Sequence, residues 1–193
     1  MYTLFLDTHN QEVVVVLYKD GEVKQAVNKV SGYQHSQIAL PLIKDVMDKE
    51  GIFPKALDQI IVVIGPGSFT GVRIAVTIAK TMAYSLNIPI KTIDSLHLKA
   101  ISIDSKEDFY VSVLEKNGAY VGKFSSEYVP VGEYSYYSKK EYDSFLEENE
   151  VKDVDKIDYN RLYEMVKTFE SINPHAVKPL YIKRIEVTKW LKN

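Results

Sequence analysis

The chain contains no cysteine. That absence excludes a disulfide framework, a thiolate metal site and a cysteine nucleophile, and it suits a reducing compartment, so a cytoplasmic protein is expected. Long apolar runs are missing as well. The longest uncharged stretch, Gln59 to Val72, falls short of the ~18 residues of a membrane span and carries Gly-Pro-Gly. Met1-Tyr2-Thr3-Leu4 has neither the basic flank nor the apolar core of a signal peptide, so no membrane role is expected. Histidine is sparse: His9, His35, His97 and His175 lie far apart and form no His-x-x-x-His or His-x-x-Glu-His pair, so no metal site is expected and each reads as a surface or capping residue.

What is present is 193 residues, 46% apolar, enough to bury a core as one domain or two small lobes. The net charge of −2 conceals a segregation. Glu133 to Asp158 holds nine acids against four bases, and Pro174 to Asn193 holds five bases against one acid. A basic tail can touch nucleic acid, yet five cations are a weak footprint, so contact with RNA is expected to be indirect or weak.

Tyr2 to Leu6, Val13 to Tyr18 and Glu22 to Val30 read as three antiparallel strands, the last two joined at Asp20-Gly21. The period then becomes helical from His35 to Glu50 and from Thr70 to Asn87, with strands at Gln59 to Ile64 and Pro89 to Ile93. The order β-β-β-α-β-α-β makes one mixed sheet covered by helices. Beyond Ser95 the composition shifts, ten of the fourteen tyrosines lying past residue 100. A hairpin at Phe109 to Leu114 and Ala119 to Ser125, helices at Lys139 to Glu148 and Tyr159 to Phe169, and an extended Pro174 to Ile185 form a second lobe. We divide the chain into residues 1–98 and 99–193.

On a helical wheel the apolar residues of each first-lobe helix fill an arc of about 200°, where one core needs about 100°. The excess either packs helix on helix within the protomer or meets a partner. We expect a partner interface at Ile38, Leu42, Ile43, Val46, Val72, Arg73, Val76, Ala79, Lys80 and Ala83.

The run Gly65-Pro66-Gly67-Ser68-Phe69-Thr70-Gly71 follows a strand and opens a helix, as a phosphate loop would. A P-loop, however, needs four residues between its glycines and then Gly-Lys-Ser/Thr, whereas Gly71 precedes Val72 and Arg73 and Pro66 lacks an amide. Ser68 reads as a helix N-cap, and Gly65, Pro66, Gly67, Ser68 and Gly71 as a structural turn. The spacing G-x-G-x-x-x-G with Asp94 after the next strand keeps a rival open: a nucleotide- or dinucleotide-binding enzyme using Asp7 and the Gly65–Gly71 loop. Asp7, at the end of the first strand, is either a cation ligand or an ordinary turn residue.

Leu4-Phe5-Leu6-Asp7-Thr8, His35-Ser36 with Leu40-Pro41, the glycine run through Val72-Arg73-Ile74, and Pro179-Leu180-Tyr181-Ile182-Lys183-Arg184 together resemble the TsaB (YeaZ) family. The resemblance implies an α/β fold of two ribonuclease-H-like lobes, as in the actin/Hsp70/sugar-kinase superfamily, here with a reduced second lobe. It further implies a scaffold needed to place threonylcarbamoyl on the adenosine next to the anticodon of tRNA. Catalysis would belong to a TsaD-like paralogue, with a TsaE-like ATPase as a further partner, and the chain would dimerise when alone. Where that paralogue has its His-x-x-x-His metal pair, this chain has Ser95 and Lys99. No glycine follows Gly132, and Asp108-Phe109-Tyr110-Val111 lacks the glycines of a phosphate loop, so no cofactor, no metal and no catalytic residue are expected. Ala75 stands where the family often has glycine.

Overall fold

The computed structural model describes residues 1–32 and 34–183. Strands β1 (Tyr2–Asp7), β2 (Glu12–Lys19) and β3 (Glu22–Val30) pair antiparallel, and β4 (Leu57–Val63) and β5 (Ile90–Ile93) extend the sheet in parallel, giving the order β3-β2-β1-β4-β5. Helices α1 (His35–Lys49) and α2 (Phe69–Leu86) supply the crossover connections. This is the expected β-β-β-α-β-α-β order.

The middle stretches of the central strands, residues 4–6, 13–17 and 60–63, are apolar at successive positions because the sheet is covered on both faces. Leu4, Leu6, Val13, Val15, Leu17, Ile60 and Val62 point to α1 and α2. Phe5, Val14, Val16, Tyr18, Ile61 and Val63 point the other way, against α3 (Ser95–Ala100) and α5 (Tyr159–Val166). Helix α5 ends where the buried Lys91 donates to the carbonyls of Val166 (3.0 Å) and Lys167 (2.8 Å), a cation placed on the negative end of the helix. Its expected continuation to Phe169 is cut short there.

A second sheet, β8-β7-β6-β9, is built from β6 (Phe109–Glu115), β7 (Gly118–Phe124), β8 (Ser135–Ser138) and β9 (Val151–Lys152). Its first three strands are antiparallel, and β9 runs parallel to β6, so the second lobe repeats the first lobe's order without a fifth strand. Helix α4 (Lys139–Glu148) starts at a capping box in which Ser138 and Glu141 satisfy each other's backbone amides. The short β8, β9 and α3 escaped the sequence reading, and α3 spans the expected division between residues 98 and 99.

After α5 the chain returns to the first lobe. Ile172 bridges to Ile90, Pro174–Ala176 forms a 3-10 turn where extended chain was expected, and the Leu180 amide donates to the Ile64 carbonyl at 2.7 Å. Ile185 and Arg184 lie outside the described residues.

Candidate functional site

Between β4 and α2 the glycine turn is closed on the chain itself. The Ser68 amide donates to the His9 carbonyl at 2.7 Å, the Thr8 hydroxyl donates to the Gly71 carbonyl at 2.6 Å, and the Ser95 amide donates to the Gly65 carbonyl at 2.9 Å. The Gly71 amide is taken by the Ser68 side chain at 3.2 Å, which makes Ser68 the N-cap of α2 as expected. The glycines serve close approach. A Cβ at Gly67 would stand 2.3 Å from the His9 carbonyl oxygen, and one at Gly71 would stand 2.0 Å from that of Thr8. Two amides that a phosphate could use are thus engaged, that of Ser68 by His9 just after β1 and that of Gly71 by the Ser68 side chain.

Asp7 is 4% exposed and accepts from the His9 amide at 2.8 Å, with both carboxylate oxygens 2.8 Å from His9 Nδ1. It acts as a turn residue that also fixes the His9 ring. The histidines correct one expectation, because His9 and His35 are buried, not on the surface. His35 Nε2 lies 2.7 Å from the Asn10 carbonyl, so its ring ties α1 to the β1–β2 loop, and His175 alone is exposed, edge-on to Tyr84. No group of three or more His, Cys, Asp or Glu among the described residues is placed to hold a metal.

The helix face also needs correction. Leu42, Ile43, Val46, Val72, Val76, Ala79 and Ala83 lie in the core between α1, α2 and the sheet. The wide apolar arcs are consumed mainly inside the protomer, because each helix packs on the sheet with one flank and on its neighbour with another. Lys80, half-buried, donates to the carbonyls of His175 (3.3 Å) and Val177 (2.9 Å) and so holds the returning C-terminal segment. Ile38 is half-buried and Arg73 exposed. What faces outward is a shallow groove of about 470 Å³ between the helices, lined by Ser36, Leu40, Phe69, Thr70, Arg73, Ile74, Thr77 and Ile78. Leu40 is 53% exposed and Phe69 46%. The wheel held the signal for Leu40, Ile74 and Ile78, but periodicity alone does not tell which flank of a 200° arc remains outside.

A second concavity, of about 400 Å³, opens between the lobes beside Asp7, His9, Glu12, Lys99, Asp153 and Tyr159. Lys99 lies across it, donating to the Ser112 carbonyl at 2.8 Å and pairing with Asp153 at 2.6 Å. Burial pushes the Tyr159 phenol up to about 12, helped by the charges of Asp7 and Glu12. Behind it, burial raises the Asp94 carboxyl and lowers the His97 ring, and Tyr134 donates to Asp94 at 3.1 Å, joining the lobes at the start of α3.

The architecture is that of a two-lobed α/β protein with ribonuclease-H-like sheet order, and no described helix is long and apolar enough to cross a membrane. The family model described as TsaD, tRNA N6-adenosine threonylcarbamoyltransferase, matches residues 26–152. The chain is 38% identical over 100 residues to the tRNA threonylcarbamoyladenosine biosynthesis protein TsaB of Bacillus subtilis, covering 52% of this chain and 44% of that protein. To the Escherichia coli protein of the same description it is 32% identical over 96 residues, covering 50% and 41%. The matched region is thus less than half the length of these two curated relatives. The solved structure of YeaZ from Pseudomonas aeruginosa superposes with a TM-score of 0.77 over 93% of this chain and 99% of that one, at 20% identity. The chain belongs to the family that this model describes, and the curated relatives it matches at 32–38% identity carry the TsaB description.

Proposed function

We propose that the chain is a non-catalytic scaffold for threonylcarbamoylation of the adenosine beside the anticodon of tRNA, docking on a TsaD-like catalytic paralogue through the groove between α1 and α2. The observation that carries this reading is the contrast between two surfaces. The glycine turn, where a phosphate would sit, is closed by Thr8, His9 and Ser95, while the adjoining groove leaves Leu40 and Phe69 in water. An exposed apolar groove of that kind favours association. Residues 1–98 carry the docking helices and 99–193 the smaller lobe. In this reading a TsaE-like ATPase joins the assembly, the same groove pairs two copies when the paralogue is absent, tRNA is touched weakly or not at all, and the protein works in the cytoplasm.

The test is calorimetric titration of the paralogue with the wild type and with Leu40→Glu and Ile78→Glu. Loss of binding with unchanged melting supports the groove, and unchanged affinity in both variants refutes it. The interlobe cavity beside Asp7 favours a second reading, a nucleotide-binding enzyme. Saturable heat from the isolated chain with ATP, ADP or NAD, with or without magnesium, would establish that reading in place of the first.

A further inference from the structure

The returning C-terminal segment does more than close the fold. Lys80 holds the carbonyls of His175 and Val177, and Val177 is buried with the first-lobe core. Leu180 then extends the hydrogen bonding of β4 through Ile64. These anchors deliver Tyr181 to the start of α2, where its ring lies 5.4 Å from that of Phe69 at 33°. The Arg73 guanidinium sits 4.6 Å from the Phe69 ring centroid. Three exposed side chains from two distant parts of the chain therefore form one stack at the end of the groove.

A guanidinium stacked on an aromatic ring has its orientation set while its N–H edge remains available for a planar, bidentate acceptor. Arg161 has such acceptors in Asp104 and Asp158; among the described residues no carboxylate reaches Arg73. We propose that the Arg73–Phe69–Tyr181 stack is a recognition element for a carboxylate on the partner, carried by a helix whose apolar stripe fills the groove beside Leu40 and Ile78, and that Tyr181 is a positioning residue for it. This rests on the docking reading above and adds to it the C-terminal segment and a required acidic group.

The test uses the full chain and the catalytic paralogue, with affinity measured by calorimetry and folding checked by thermal melting. Arg73→Lys keeps the charge but loses the planar fork, and weakens binding about tenfold, while Arg73→Glu weakens it roughly a hundredfold or more. Tyr181→Ala weakens binding several-fold, on the order of the loss of one aromatic contact, and Tyr181→Phe restores it. Because Tyr181 acts through the stack, Arg73→Lys combined with Tyr181→Ala is less damaging than the product of the two single effects. Full additivity, or wild-type affinity for Tyr181→Ala, overturns the proposal. If Tyr181→Ala lowers the melting temperature, Tyr181→Leu keeps the apolar volume without the ring and carries the same test. Ile78→Glu separates the two readings. If it abolishes binding while the Arg73 and Tyr181 variants bind normally, the groove stands and the stack falls; if it and Leu40→Glu both bind normally, the two readings fall together.

Discussion

Replacing Gly71 with alanine sets two effects of opposite sign against each other. Gly71 is the third residue of α2 and its φ is not positive, so helix propensity alone favours alanine by up to about 1 kcal/mol. Against this, the new Cβ would lie 2.0 Å from the Thr8 carbonyl oxygen, where a carbon–oxygen contact needs about 3.3 Å. The obstacle is backbone and cannot swing aside. The start of α2 has to retreat from β1 by more than ~1 Å, which loosens the Thr8–Gly71 and Ser68–His9 hydrogen bonds, worth about 1 kcal/mol each, and adds overpacking strain of about 1–3 kcal/mol. The net expectation is a loss of about 2–4 kcal/mol, or about 4–16 °C in melting temperature for a chain of this size. Far-UV circular dichroism melts measure it, with Ser85→Ala on the exposed side of the same helix as the propensity control. A melting temperature for Gly71→Ala equal to or above the wild type would refute the close-approach account of the glycine turn.

Three further outcomes follow from the same geometry. Val76→Asp puts a carboxylate into the core beneath α2 and costs about 3–5 kcal/mol of stability, seen as unfolding at lower urea, whereas Leu40→Glu, at a side chain 53% exposed, changes it by less than about 1 kcal/mol. Ser68→Ala removes the N-cap of α2 and lowers stability by about 1 kcal/mol, measured by the same denaturation curves. Tyr159 keeps its phenol proton in the folded chain to about pH 12, while the unfolded chain releases it near 10, so its contribution to stability is complete below pH 10 and is lost as pH rises from 10 to 12. Burial raises Tyr18, Tyr120 and Tyr134 as well, so Tyr159→Phe should make the alkaline decline shallower by one group's share, and a wild-type slope in the variant would refute the assignment.

Much of the fold was legible because local signals and tertiary context agree. Continuous apolar, β-branched-rich runs and the Asp20-Gly21 turn mark β1 to β3, and Ser138 with Glu141 marks the start of α4, whose bounds Lys139 and Glu148 coincide with those read from the sequence. The candidate site was legible in kind and misread in detail. Leu42, Val46, Val76 and Ala79 lie on the apolar arcs, yet they are core, because neighbouring helices on one sheet use both flanks of an arc and a wheel has no record of the neighbour. Tyr181 stands in a segment that carries the family resemblance, but its place beside Phe69 was not legible, since it depends on a segment that returns across more than a hundred residues.

The sequence by itself determined the order of elements, the N-cap at Ser68, the unsuitability of Gly65 to Gly71 as a P-loop, and the family, because each of these is written in neighbouring residues. Tertiary structure decided which glycine faces which carbonyl, that α5 of the second lobe closes the first lobe's sheet, and which apolar residues stay in water. Those outcomes depend on contacts between segments far apart in the chain, where no local preference acts and only the packing of the whole selects one arrangement.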